Sequence, residues 1–261
     1  MTYEMIRAER DGDVLVLTLN RPERLNAAPP QLFEEIGRAI DHLDGARAVL
    51  ITGEGRAFCS GADLAGRDGT SGISGGARAR KALTESYNPV MVKLSRLAVP
   101  IVSAVKGPAA GIGCSLALAA DFCFAGDSGY FLQAFVNIGL VPDGGASWML
   151  ARLVGKARAT EMMLLGERIP AQRAHDWGLI YKCVPDTVLM DEAMAMAVRL
   201  ANGPTLALGL MRQGLTAALE SDYATALAGE ADRQAQAGDS ADAMEGAISF
   251  LQKRKPAFKG A

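Results

Sequence analysis

The stretch "VPIVSAVKGPAAGIGCSLALAADFCFAG", Val99 to Gly126, decides how the chain is read. Val99 to Val105 is an apolar, β-branched run of strand length. Gly107, Gly111 and Gly113 follow, then a helix of small residues, Cys114 to Ala119, and a second short strand. Small side chains let a helix lie close to a sheet and let backbone approach a ligand. Upstream, "RAVLITG", Arg47 to Gly53, is another buried strand, and Leu83 to Leu97 reads as the helix between the two. Further out, "EMIRAERDGDVLVLTLN" reads as two strands about an Asp11-Gly12 turn. Leu32, Ile36, Ile40 and Leu43 then recur at helical spacing, with Gly45 as the stop. Strand, helix, strand, helix, strand predicts a right-handed α/β arrangement.

Downstream of Gly145 the pattern turns helical. "GGASWMLARLVG", "GKARATEMMLLG" and "PAQRAHDWG" read as short helices, "YKCV" as a strand, and two longer amphipathic helices fall near Asp186 to Ala201 and Thr205 to Leu219. The end, "DAMEGAISFLQKRKPAFKG", closes helically on a basic run. The predicted organisation is an α/β core over 1–200 and a helical part over 201–261. Gly66 to Ala82, rich in Gly, Ser and Arg, is the candidate mobile lid.

The 261 residues are 49% hydrophobic and 21% charged, with a net charge of −2, an ordinary globular balance. Nothing in that field favours nucleic acid or an anionic membrane. The four cysteines form no C-x-x-C pair and there are two histidines, poor material for a zinc site. Isolated cysteines in apolar runs fit a reducing compartment, and a cytoplasmic location is expected. The N-terminus carries charges where a leader needs an apolar segment, and no apolar run is long enough to span a bilayer. His42 falls on the amphipathic helix of Leu32, Ile36, Ile40 and Leu43 as a surface residue, and His175 at a helix end takes a structural role.

Two stretches can aim a backbone N–H at a ligand: "AFCSGADL", Ala57 to Leu64, and "AAGIGCSL", Ala109 to Leu116. Two such donors on one oxygen would form an oxyanion hole, and a helix start at the second would add its dipole. Each alone also reads as a tight packing turn. In "GLVPDGGASW", Gly139 to Trp148, Asp143 stands between apolar residues and glycines. It either caps a helix or works as an acid. Leu140, Val141, Phe135 and Trp148 are expected to desolvate it and raise its pKa.

"NRPERLNA", "GEGRAFCSGADL", "KGPAAGIGCSLALAADF", "GLVPDGGASWMLARLVGKARA", "HDWGLIYKCV" and "AISFLQKRKPAF" stand in one order along the chain. Together they resemble the enoyl-CoA hydratase/isomerase (crotonase) superfamily over essentially its whole length. "SYNPVMVKLSRLAVPIVSAVKG" and "FLQAFVNIGLVPDGGASWMLARLVGKARA" resemble most the ring 1,2-epoxyphenylacetyl-CoA isomerases within it. The resemblance implies a spiral of ββα units followed by a helical trimerisation region, a homotrimer or hexamer, and an acyl-CoA thioester substrate. It implies that Ala62 and Ile112 supply the oxyanion-hole N–H groups, flanked by Leu25, Ala57, Gly61, Asp63, Leu64 and Gly111. Asp63 would order the loop. Arg24 would meet a CoA phosphate or remain a solvated charge. Lys255, Phe258 and Lys259 would reach a CoA nucleotide, in the same or a neighbouring subunit, or form a frayed tail. No metal or redox cofactor is implied, coenzyme A being part of the substrate.

One departure bears on the chemistry. Hydratases of the family add water with two glutamates. By resemblance these align with Ser115 and Phe135, neither of which exchanges a proton as a carboxylate does. Asp143 falls where hydratases carry glycine and where several isomerases and a dehalogenase branch place their working carboxylate. The expected reaction is a double-bond shift, or rearrangement of a ring epoxide, with Asp143 as acid and base and Phe135 stacking on the acyl group or filling the core. The competing readings are a hydratase working with Asp143 alone, an aryl-CoA dehalogenase using Asp143 as nucleophile, and a non-catalytic CoA-thioester binding protein. Tyr87 and Asn88, on the helix that follows the candidate lid, are candidates for lining the acyl pocket.

Overall fold

In the computed structural model, described for residues 2–63 and 74–261, nine strands and ten α-helices are seen among the described residues. β1 (Ile6–Asp11) and β2 (Val14–Leu19) form an antiparallel hairpin paired Asp11 to Val14. The turn is therefore Gly12-Asp13, one residue later than the sequence suggested, because Gly12 supplies the positive φ of 56°. β2 pairs in parallel with β3 (Ala48–Gly53), β3 with β4 (Ile101–Val105), β4 with β6 (Phe122–Gly126) and β6 with β9 (Lys182–Val184). A second sheet joins β5 (Pro108–Ala110), β7 (Tyr130–Leu132) and β8 (Ile169–Pro170). The two- and three-residue strands of this small sheet are too short to show an alternation and were not anticipated.

Side-chain parity explains why the main sheet is covered on both faces. Val49 and Ile51 of β3 point into one apolar cluster, Ala48 and Leu50 into the other. The first cluster is closed by α1 (Pro30–Asp41) through Leu32, Phe33, Ile36 and Ile40, by α3 (Asn88–Arg96) through Val90 and Leu94, and by α4 (Ile112–Leu118). The second is closed by α7 (Leu189–Ala201), whose Leu189, Ala193, Ala197 and Ala201 recur every fourth residue. Burying about four such aliphatic and small side chains is worth several kcal/mol, so α7 belongs to the sheet and not to the helices after it. Glu35 of α1 is buried and accepts from the backbone N–H groups of Glu4, Met5 at 2.8 Å and Ile6, which ties the N-terminus down.

Part of the expected lid is a helix. Leu64 to Ile73 lie outside the described residues, but α2 (Gly75–Ala82) is regular, with the Ser74 hydroxyl accepting from Ala77 N at 3.2 Å. Its Ala-Arg-Ala-Arg-Lys-Ala composition favours helix, which the Gly- and Ser-rich reading overlooked. A single π-turn, Leu83–Tyr87, joins α2 to α3. The two helices read from Gly145 onward form one element, α5 (Ala146–Leu165), kinked at Gly155 with φ 74° and ψ 164°. α6 (Ala171–Asp176) precedes β9, and α8 (Thr205–Ala218), α9 (Tyr223–Gly238) and α10 (Ala241–Leu251) end the chain. α9 was not anticipated, because its alanine-rich turns bury nothing in the chain and show no clear apolar stripe.

Candidate active site

The two suspected donor loops are bolted together. Cys59 and Ala109 form a parallel bridge, with Cys59 N donating to Pro108 O at 3.0 Å and Ala110 N to Cys59 O at 2.9 Å. Ala62 lies three residues beyond Cys59, and Ile112 three beyond Ala109, on the two segments that this bridge joins. A methyl on Gly111 would come within 3.8 Å of Gly61 Cα and 3.5 Å of the Phe135 ring. At Gly113 any side chain is excluded, since a Cβ would lie 2.6 Å from Cys59 Cβ. Ile112 opens α4, where the first N–H groups have no partner within the helix. Ala28 N donates to Gly61 O at 2.8 Å and Asp63 N to Ala28 O at 3.0 Å, which turns the Ala62 N–H to the other side. Neither amide donates to an acceptor among the described residues.

The frame around Ala62 comes from the loop after β2. Asn26 is buried with φ 54°, a left-handed conformation that Asn tolerates better than most residues. Its amide donates to Ala57 O at 2.7 Å and Glu54 O at 3.0 Å and accepts from Arg21 N at 2.8 Å. Leu25, also left-handed at φ 52°, accepts from Ser60 N at 3.0 Å. Ala57 is fully buried and takes part through its carbonyl. Asp63 pairs with Arg21 Nη1 at 2.9 Å and more loosely with Arg24 Nη2 at 3.5 Å, Arg24 itself being exposed. Arg21 and Asn26 were not singled out in the sequence; both stand inside "NRPERLNA", and a buried polar residue next to a turn was the only available signal.

Asp143 is brought to the same place. The Ser115 hydroxyl donates to Asp143 O at 3.0 Å, and a Cβ on Gly144 would meet Ile112 Cδ1 at 2.3 Å and Ser115 Cβ at 2.9 Å. The residue is half-buried and its Oδ1 is withdrawn from solvent. It meets α5 through its carbonyl, which accepts from Ala146 N at 3.1 Å, while Gly145 holds the cap position and no side chain caps the helix. One expectation needs correction: of the four apolar neighbours, only Phe135 is buried, while Leu140, Val141 and Trp148 are 47%, 79% and 37% exposed. Leu140 and Val141 fall in the irregular run before α5, and Arg152 stacks on the Trp148 ring at 4.0 Å.

A cavity of 720 Å³ lies beyond Gly144 and Gly145, walled by Met91, Leu118, Trp148, Met149 and Leu215 among others, with Asn88 at its edge. Tyr87 is not part of it: its hydroxyl donates to Ala28 O at 2.8 Å and its ring packs edge-on against Phe33. The C-terminal residues are elsewhere. Phe258 O accepts from Arg47 Nη1 at 3.2 Å, Lys259 N donates to Asp242 at 2.7 Å, and Lys255 is exposed. Arg47 enters β3 at the end opposite Gly53, about 20 Å from the donor loops for a strand of this length. The tail thus stands apart from its own chain's Ala62, Ile112 and Asp143.

An α/β fold that joins two glycine-flanked backbone segments beside a partly withdrawn carboxylate defines an architecture suited to acyl chemistry. The sequence profile of the enoyl-CoA hydratase/isomerase family matches residues 9–261. The chain is 40% identical over 260 residues to a 1,2-epoxyphenylacetyl-CoA isomerase of Escherichia coli K12, covering 98% of this chain and 99% of that one. It is 42% identical over 261 residues to a Rhodobacter capsulatus protein described as "Probable enoyl-CoA hydratase", covering both in full. The crystal structure of an enoyl-CoA hydratase from Polaromonas sp. JS666 superposes with a TM-score of 0.90 at 33% identity, over 97% of this chain and 99% of that one. The chain belongs to the enoyl-CoA hydratase/isomerase family and is an enzyme of that family with the crotonase fold. No described helix is long and apolar enough to cross a membrane.

Proposed function

We propose that the protein is an acyl-CoA isomerase that works with one carboxylate. The observation that carries this reading is Asp143, fixed by Ser115 and Gly144 against the first turn of α4, next to Ile112. The thioester carbonyl takes the N–H groups of Ala62 and Ile112, with Gly61, Asp63 and Gly111 shaping the hole. That acidifies the α and vinylogous γ protons. Asp143 removes one proton, the hole holds the dienolate, and the same carboxylate returns the proton at the other end, so a 3-enoyl thioester becomes a 2-enoyl thioester. The alignment of Ser115 and Phe135 with the two hydratase glutamates speaks against water addition. The similarity to the Escherichia coli isomerase supports a ring epoxide of phenylacetyl-CoA as the main substrate. Leu25 and Ala57 line the CoA side through backbone, and Arg24 is the phosphate partner.

Assembly follows from exposure. Met211, Leu215, Met244, Phe250 and Leu251 of α8 and α10 are left exposed by the single chain, an apolar surface suited to burial between subunits. The reading is a trimer or a dimer of trimers in which Lys255, Phe258 and Lys259 serve a neighbour's CoA.

The test uses 3-hexenoyl-CoA and crotonyl-CoA in deuterated water, with the wild type and Asp143→Asn. Wild type should shift the double bond with deuterium uptake and leave crotonyl-CoA unhydrated, and the variant should lose about 10²- to 10⁴-fold in rate. Brisk hydration of crotonyl-CoA, or a variant as active as wild type, sinks the single-carboxylate reading. Halide release from a haloaromatic thioester would favour the nucleophilic alternative.

A further inference from the structure

We propose that Arg21 polarises and orients the Ala62 N–H through two peptide groups in series. This rests on the reading of Ala62 as an oxyanion donor. Arg21 Nη1 donates to the carbonyl of Ala27. The same peptide unit carries Ala28 N, which donates to Gly61 O at 2.8 Å. That carbonyl in turn shares its peptide unit with Ala62 N. In a trans peptide the N–H points opposite to the C=O. A guanidinium, two aligned peptide dipoles and the Ala62 N–H therefore form one chain, with positive charge at its tail and the developing oxyanion at its head.

Each link strengthens the next, because a hydrogen bond accepted at C=O makes the N–H of the same unit a better donor. The peptide at Gly61, with φ 109°, has little intrinsic preference of its own. Its orientation is thus set from outside, by Ala28. Arg21 is itself fixed: its side chain is 17% exposed and that of Asp63, bonded at 2.9 Å, is 12% exposed. The Arg21 amide is also held by Asn26 Oδ1 at 2.8 Å. The planar guanidinium serves Ala27 O and Asp63 from a single nitrogen, Nη1. Asp63 anchors the cation but is not a link of the relay, although its N–H also reaches Ala28 O at 3.0 Å.

The relay and a plain structural clamp predict different results. 2,4-Hexadienoyl-CoA is a chromophoric thioester whose absorption moves to the red when its carbonyl is polarised. It would be bound to wild type, Arg21→Met, Arg21→Lys and Asp63→Asn, with dissociation constants by calorimetry, melting temperatures, and kcat and KM on 3-hexenoyl-CoA. The relay requires Arg21→Met to lose most of the red shift and about 10- to 100-fold in kcat, part of what deleting an oxyanion donor costs. Its dissociation constant and KM should change less than about threefold, since the neutral carbonyl is bound mainly through the rest of the thioester. Arg21→Lys should recover part of both losses, and Asp63→Asn should keep most of the red shift. A clamp makes Asp63→Asn as damaging as Arg21→Met, lowers the melting temperature, and leaves the red shift of bound ligand intact; that pattern overturns the proposal. If Arg21→Met does not fold, the neutral Arg21→Gln takes its place in the same assays, an unchanged red shift of the bound ligand in that variant overturning the relay. Absence of a red shift in the wild type refutes the oxyanion reading, and the relay falls with it.

Discussion

Gly144→Ala isolates the contact that seats Asp143. Gly144 has φ 60°, where an alanine costs about 1–2 kcal/mol. Its new methyl would also lie 2.3 Å from Ile112 Cδ1 and 2.9 Å from Ser115 Cβ. The first atom is the end of a flexible side chain; the second is fixed by the backbone of α4. Overpacking of this kind adds about 1–3 kcal/mol. The sum, about 2–5 kcal/mol, corresponds in a chain of this size to a fall in melting temperature of roughly 5–15 °C. Relief of the contact must move the Asp143-Gly144 backbone away from Ile112, and a displacement approaching 1 Å lowers kcat by about 10²-fold with little change in KM. Scanning calorimetry and steady-state kinetics on 3-hexenoyl-CoA read both effects. Ile112→Val supplies the control, because it deletes Cδ1 and nothing else. Alone it costs about 0.5–1.5 kcal/mol. In the Gly144→Ala background it should cost less, or restore stability, with a coupling of about 1 kcal/mol. Strict additivity of the two substitutions, or a Gly144→Ala protein with wild-type melting and kcat, would refute the packing argument.

Two further outcomes follow from thiol and carboxyl environments. Burial pushes the thiols of Cys59, Cys114 and Cys123 up to about 12, whereas Cys183 is only partly covered. A disulfide reagent at pH 8 should therefore titrate one thiol in the native protein and four after denaturation; rapid loss of more than one native thiol contradicts the core described. The Glu245 carboxyl is held down to about 2 by hydrogen bonds from Arg254 and then from the Ala257 amide. A lowered carboxyl value stabilises above its unfolded value near 4.5 and loses that effect as pH falls through about 2. Protection of the Ala257 amide should decline over that window in nuclear magnetic resonance spectra, and Glu245→Gln should release the tail to trypsin at neutral pH; equal cleavage of both proteins would count against the docking.

The apolar runs and the glycines around Val99 to Gly126 were legible because β-branched residues and small residues act locally. The β-branched run in "RAVLITG" and the four-residue spacing of Leu32, Ile36 and Ile40 were legible for the same local reason. What failed was of two kinds. β5, β7 and β8 are too short to show a period, and α9 buries nothing that would impose one. The expected burial of Asp143 by Leu140, Val141 and Trp148 failed because adjacency in sequence says nothing about which way an irregular segment turns.

The sequence alone determined the α/β class, the order of its units, the likeness to the family, and the placing of a carboxylate among glycines at Asp143. Tertiary structure decided the partners. Cys59 and Ala109 are fifty positions apart, yet their bridge joins the segment that carries Ala62 to the one that carries Ile112. Ser115 meets Asp143, and Arg21 meets Ala27 and Asp63, through side-chain and backbone bonds that no local period encodes. Propensity and hydrophobic period act over a few residues, whereas a site assembled from four loops depends on how the sheet aligns their ends.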